Sequence, residues 1–149
     1  MLVKAMRTVP CPRDAVWSYL VDPHQLVRLN ANSTGPLDLA PGGPLRVGQL
    51  WREILNTPVG SQEIRTTVTK VDPAAGCIEL EGEGDSGLHV SGRIEITEVT
   101  AGRTAVTLAN DVTLPMPILA GFLRGPLQSG TEDALERLAV ALRATSESS

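Results

Sequence analysis

Aromatic residues are scarce in this chain of 149 residues: Trp17, Tyr19, Trp51 and Phe122 are all it has. That excludes a nucleobase-stacking surface, which needs a series of exposed rings. Two cysteines, Cys11 and Cys77, are too few for a disulfide scaffold or a cysteine-only zinc site. Two histidines, His24 and His89, leave little for metal chemistry, so no metal and no cofactor is expected. Lysine is nearly absent, two residues against eleven arginines, a bias that carries no functional weight and is the one expected of a GC-rich, bacterial genome. A net charge of −4 offers no basic face to phosphates, so no nucleic-acid partner is expected. No apolar run approaches the roughly 18 residues of a membrane span. The opening MLVKAMRTVP has neither an apolar core nor a small-residue cleavage site, and a cytoplasmic protein is expected. Nucleophile-elbow, phosphate-loop, zinc-protease and dinucleotide-binding motifs are all missing.

What is present is globular. Apolar residues make up 42% and charged residues 20%, enough for one domain spanning 1–149 to bury a core. Leu2–Val9 reads as a strand ended by Pro10, and Pro12 suits the first position of a short helix bearing Val16, Trp17 and Leu20. Asp22-Pro23 breaks it and starts a second short helix to Arg28. Residues 30–49 read as a loop with one weak strand at Leu37–Leu39. Five strands follow, at Val47–Leu55, Gln62–Val71, Cys77–Glu83, Leu88–Val99 and Thr104–Leu114. The links between them are short and rich in Gly, Pro and Asp, as in an antiparallel meander.

Parity assigns the faces. Ile78, Leu80 and Gly82, then Val90, Gly92, Ile94 and Ile96, then Val106, Leu108, Asn110, Val112 and Leu114 fall on one side, with Glu, His and Arg on the other. The end is helical. At 100° per residue, Leu127, Thr131, Ala134, Leu135, Leu138, Ala141 and Leu142 fall within an arc of roughly 120°. This stripe is the natural cover for the apolar side of the sheet. The helix starts near Pro117 or, by the capping-box spacing Ser129–Glu132, near Gly130, and a frayed tail is expected from about 145.

The order of elements and several local words resemble the START-like helix-grip superfamily, also called SRPBCC, in its polyketide cyclase/dehydrase-like branch. The words are Val9-Pro10-Cys11-Pro12-Arg13-Asp14-Ala15-Val16-Trp17, Leu20-Val21-Asp22-Pro23-His24-Gln25-Leu26, Val68–Pro73 and the hairpin around Gly92–Ile96 and Gly102–Leu108. One departure is that Leu29 or Asn30 stands where the family often has Trp. The resemblance implies an α+β fold, with a curved antiparallel sheet of six to seven strands around a long C-terminal helix. It also implies a cavity between the two that takes a small hydrophobic molecule such as a lipid, polyketide or isoprenoid.

Candidate ligand-site residues follow from parity. Asn110 is an amide on an apolar face, so it bonds a ligand, a water or neighbouring backbone. Gly92 leaves room beside it, with Val90 and Leu108 adjacent, and Thr131 and Leu135 come from the helix above. Thr66 lies in phase with Ile64 and Val68, as an inward hydroxyl or core filler. In Val47–Leu55 two alternations compete, so either Glu53, with Trp51, or Arg52 points inward, or the charge sits solvated near an edge. Phe122 lies in Pro117–Leu127, which reads as a lid, a patch touching a membrane or partner, or the first turns of the long helix. His24 and His89 are the natural acid–base candidates, but His89 falls on the wet face. This inward set is thin for catalysis, so ligand binding is the expected role. A polyketide cyclase or aromatase and a protein-interaction module are the alternatives.

Overall fold

The computed structural model describes residues 1–39, 42–57, 60–85 and 87–147. Strand β1, Leu2–Val9, leads into helices α1, Arg13–Leu20, and α2, Pro23–Arg28. Strands β2, Leu50–Thr57; β3, Gly60–Asp72; β4, Cys77–Gly84; β5, His89–Thr100; and β6, Arg103–Thr113, then form a meander, and helix α3 spans Pro117–Glu147. The sheet order is β1-β6-β5-β4-β3-β2, and every neighbouring pair is antiparallel. This six-stranded sheet gripping a C-terminal helix is the helix-grip fold.

Local chemistry sets the elements. Pro12 is extended and caps α1 from outside, one residue earlier in role than its expected first helical position. Asp22 caps α2 by accepting a bond from the His24 backbone N–H at 3.0 Å, while Pro23 fills the first helical position without losing a donor. The weak strand at 37–39 reduces to one isolated bridge, Leu37 to Arg52, and a second bridge outside it joins Ser33 to Leu55. Ladder pairing of β2 begins at Leu50 rather than Val47. The turns that join β2 to β3 and β4 to β5 include residues 58–59 and 86, which lie outside the described residues.

Helix α3 starts at Pro117, so the Ser129–Glu132 word lies inside the helix and does not begin it. Pro126 is also internal. It has no N–H to bond the Phe122 carbonyl, which removes one rung of the helix. The tail expected to fray from about 145 is helical to Glu147, and residues 148–149 lie outside the described residues.

The core is divided. The main cluster joins α1 and α2 through Val16, Leu20, Leu26 and Leu29 to Trp51, Val68, Ile78, Ile96, Val106 and the C-terminal half of α3, where Leu135, Leu138, Ala139 and Leu142 are buried. A smaller cluster centres on Ile64, Leu88 and Val112. Helix α3 packs mainly on β1 and next on β6. Its N-terminal half therefore stands off the middle strands, and a space remains between the two clusters.

Candidate functional site

That space is a cavity of about 570 Å³. Two rows of residues across the sheet form its floor. One row is Val3, Asn110, Gly92 and Leu80, paired directly strand to strand. The next is Val112, Val90, Gly82, Thr66 and Trp51. Each row holds a glycine in mid-strand, where an apolar side chain would otherwise fill the space. At Gly82 a β-carbon would come 3.0 Å from the Ile64 side chain, and at Gly92 3.1 Å from Asn110 Oδ1. Leu123, Pro126, Leu127, Thr131 and Ala134 of α3 form the roof.

The mouth lies where β2, β4 and β6 end. One rim is polar, with Asn30 and Asn32 from the loop after α2 and Asn56, Thr57 and Gln62 from the β2–β3 hairpin. The loop is pinned there: Asn56 N–H donates to the Asn32 carbonyl at 2.8 Å. The other rim is apolar, with Leu88, Leu114, Pro115, Met116 and Leu127. Met116 is exposed at this rim, and Ile118 and Phe122, which follow it in the chain, are exposed too.

Asn110, Thr66, Glu53, Trp51, Val90, Gly92, Leu108 and Thr131 all line the cavity. Asn110 makes no side-chain hydrogen bond among the described residues, and its partially exposed amide faces the cavity. Thr131 Oγ1 instead donates to the Leu127 carbonyl at 2.8 Å, closing onto its own helix. Two expected site residues lie elsewhere. Phe122 is 71% exposed on the outer side of α3. Leu135 is buried in the main core cluster and does not reach the cavity. With α3 beginning at Pro117, Phe122 falls about 140° from Leu127 while Leu123 falls about 40° from it, so Leu123 takes the inward place. Leu135 sits near the far edge of the same stripe, about 80° from Leu127, and is turned towards the main core.

The competing alternations in β2 resolve in favour of Trp51, Glu53 and Leu55 as the inward set. Arg52 lies on the other face, bonded to Asp38 and, at 3.0 Å, to Glu63. Glu53 is thus not a solvated edge charge. Its Oε1 accepts from the Trp51 indole N–H at 2.5 Å, and its Oε2 accepts from the Ser33 hydroxyl at 3.2 Å. Burial pushes the proton affinity of the Glu53 carboxyl up from its ordinary value, and the two hydrogen bonds only partly oppose this. The one other charged residue among the described lining residues is Arg93, whose guanidinium pairs with Glu79 at 3.4 Å and Glu95 at 2.6 Å on the outer face.

Sequence reasoning missed Ser33, Asn30, Asn32, Asn56 and Gln62. The first three lie in an irregular loop, where no periodicity reports a direction. Asn56 and Gln62 flank a hairpin whose register was unknown, and Leu55 opposite Gln62 places the latter at the mouth. The histidines sit apart from the cavity lining. His89 Nε2 is 2.8 Å from Glu81 on the outer face, beside Ser91. His24 Nε2 is buried with no hydrogen-bond partner among the described residues. Cys11 and Cys77 are buried free thiols. Among the described residues no helix is long and apolar enough to cross a membrane.

Comparison with known proteins agrees with this architecture. The chain superposes on the Zhui aromatase/cyclase from a Streptomyces species with a TM-score of 0.79 at 19% identity, covering 96% of this chain and 93% of that one. A conserved protein from Geobacillus kaustophilus gives 0.76 at 16% identity, with 97% of each chain covered. A START superfamily protein from Mycobacterium smegmatis gives 0.64 at 21% identity, covering 99% and 97%. At these identities the likeness is one of fold. A search of curated protein sequences finds no match. The sequence profile described as "Polyketide cyclase / dehydrase and lipid transport" matches residues 2–147. A chain that fits this profile along almost its whole length, and folds as a sheet gripping its last helix around a cavity, belongs to that family.

Proposed function

We propose that this protein binds one small, largely apolar molecule in the cavity between sheet and α3. The observation that carries this reading is the cavity itself: about 570 Å³, walled mainly by Leu, Val and Ile, with a few polar groups. Ligand sites of small molecules have this size and this balance of lining. Asn110 and Thr66 supply hydrogen-bonding groups in mid-cavity, and Glu53 supplies a carboxyl nearer the mouth. The candidate set is then Asn110, Thr66, Glu53, Trp51, Val90, Gly92, Leu108 and Thr131. An environment-sensitive hydrophobic dye should bind saturably at one site per chain and be displaced by lipid, polyketide or isoprenoid compounds. Absence of saturable binding would overturn the reading.

A second reading, an enzyme of polyketide cyclase type, has one observation in its favour. Glu53 holds a carboxyl in the cavity with its proton affinity raised, as a general acid or base requires. Its test is single-turnover conversion of a polyketide-like β-keto chain, followed by mass spectrometry, in wild type and Glu53→Gln. Contact with a membrane through 117–127 also belongs to this proposal. Exposed Ile118 and Phe122, which follow Met116 of the rim in the chain, support it, with Arg124 the only charged side chain in that stretch.

A further inference from the structure

The cavity contains a carboxyl group and, among the described residues, no cation turned towards it. Glu53 has two partners, the Trp51 indole and the Ser33 hydroxyl, and both are neutral donors. The guanidinium of Arg93 is turned away and engaged by Glu79 and Glu95. The remaining polar groups of the lining are amides and hydroxyls, such as Asn30, Asn56 and Asn110. Such groups bond equally well to hydroxyls, carbonyls and amides. They cannot neutralise a phosphate, sulfonate or carboxylate brought into a water-poor space, and Glu53 would repel it there.

Resting on the ligand-binding reading above, we propose that the cavity excludes anionic molecules. It selects apolar ligands whose polar end is an uncharged hydroxyl, carbonyl or amide, and Glu53 sets that preference. Free fatty acids and phospholipids are then poor ligands, and neutral alcohols, ketones and phenols are good ones. The position of Glu53 suits this role. It stands one inward step along β2 from Leu55, which pairs with Gln62 of the polar rim, so a polar end seated on that side of the cavity lies beside it.

The test uses chains of one length with different ends: decanol, decanamide, decanoate and decanesulfonate. Each displaces a cavity-bound hydrophobic dye at neutral pH, below its critical micelle concentration. In wild type, decanol and decanamide should displace the dye at concentrations at least about tenfold lower than the two anions, since like charges juxtaposed in a desolvated site are strongly disfavoured. Glu53→Gln keeps the acceptor for Trp51 and removes the charge. It should strengthen decanesulfonate by at least about tenfold while leaving decanol unchanged, so the gap narrows through the anion alone. Glu53→Met removes the charge at similar length and should give the same change, so the assignment does not depend on one variant folding. Equal displacement by decanol and decanesulfonate in wild type would overturn the proposal and leave ligand binding standing. A gap as wide as in wild type in either folded variant would overturn the role of Glu53. If the dye binds and none of the four chains displaces it, or if the dye does not bind, the ligand-binding reading itself fails.

Discussion

Gly92 and Asn110 stand directly opposite each other on β5 and β6, and a β-carbon at position 92 would lie 3.1 Å from Asn110 Oδ1. The amide therefore occupies the space that the missing side chain leaves. That pairing explains how an amide with no side-chain partner among the described residues is tolerated beside Leu108, Val112 and Val90: it faces open volume rather than packed hydrocarbon.

Gly92→Ala should shift the Asn110 side chain by a few tenths of an ångström and leave the fold intact. The strand interior gains roughly 0.5–1 kcal/mol by losing a glycine, which offsets the tight contact. A thermal melt within a few degrees of wild type is expected. A loss of more than about 3 kcal/mol would mean that the amide is locked in place.

Asn110→Leu should leave hydrophobic-dye binding in place. Preference for ligands carrying a carbonyl or hydroxyl over purely apolar ones should fall by about threefold to tenfold, the worth of one neutral hydrogen bond. Displacement titrations with decanol and decane measure this. An unchanged ratio would show that Asn110 does not contact the ligand.

Glu53→Gln also has a signature in stability. The folded protein holds the Glu53 proton more tightly than the unfolded chain, so folding takes up protons above about pH 4.5, and stability falls as pH rises through the raised range. The glutamine variant lacks this loss. Denaturant unfolding should show wild type and variant alike near pH 4, with the variant gaining relative to wild type as pH rises to 7. A variant that is uniformly less stable at every pH would contradict the assigned direction.

Leu135→Asp should prevent folding. Leu135 is 3% exposed in the main cluster, and an unpaired charge there costs several kcal/mol, comparable with the stability of a whole domain. In contrast, Gly121→Ala and Gly125→Ala should each stabilise α3 by roughly 0.5–1 kcal/mol, because a β-carbon at either site meets nothing within 4 Å. Melting temperatures by circular dichroism check both expectations. A folded Leu135→Asp variant or a destabilised Gly121→Ala variant would show that α3 is misplaced.

The legibility of this chain followed its periodicity. Strands β4 to β6 alternate cleanly because one side meets the core and the other meets water, and Ile78, Val106 and Asn110 could be placed from parity alone. Strand β2 could not, since its inward set includes Glu53 and its outward set includes Leu50, which is 61% exposed. Hydropathy reports burial in an apolar surrounding, and Glu53 is held instead by hydrogen bonds from Trp51 and from Ser33, 20 residues away. Phe122 was misjudged because the start of α3 was open. Carrying the stripe back from Leu127 would have selected Leu123.

Native mass spectrometry of the purified protein, titrated with decanol, tests the central claim most directly. The account predicts one adduct per chain in wild type, lost on gentle collisional activation, and its loss in a folded Val90→Trp variant whose indole fills part of the cavity. Bare protein mass at every decanol concentration, or an adduct that persists unchanged in Val90→Trp, would contradict it.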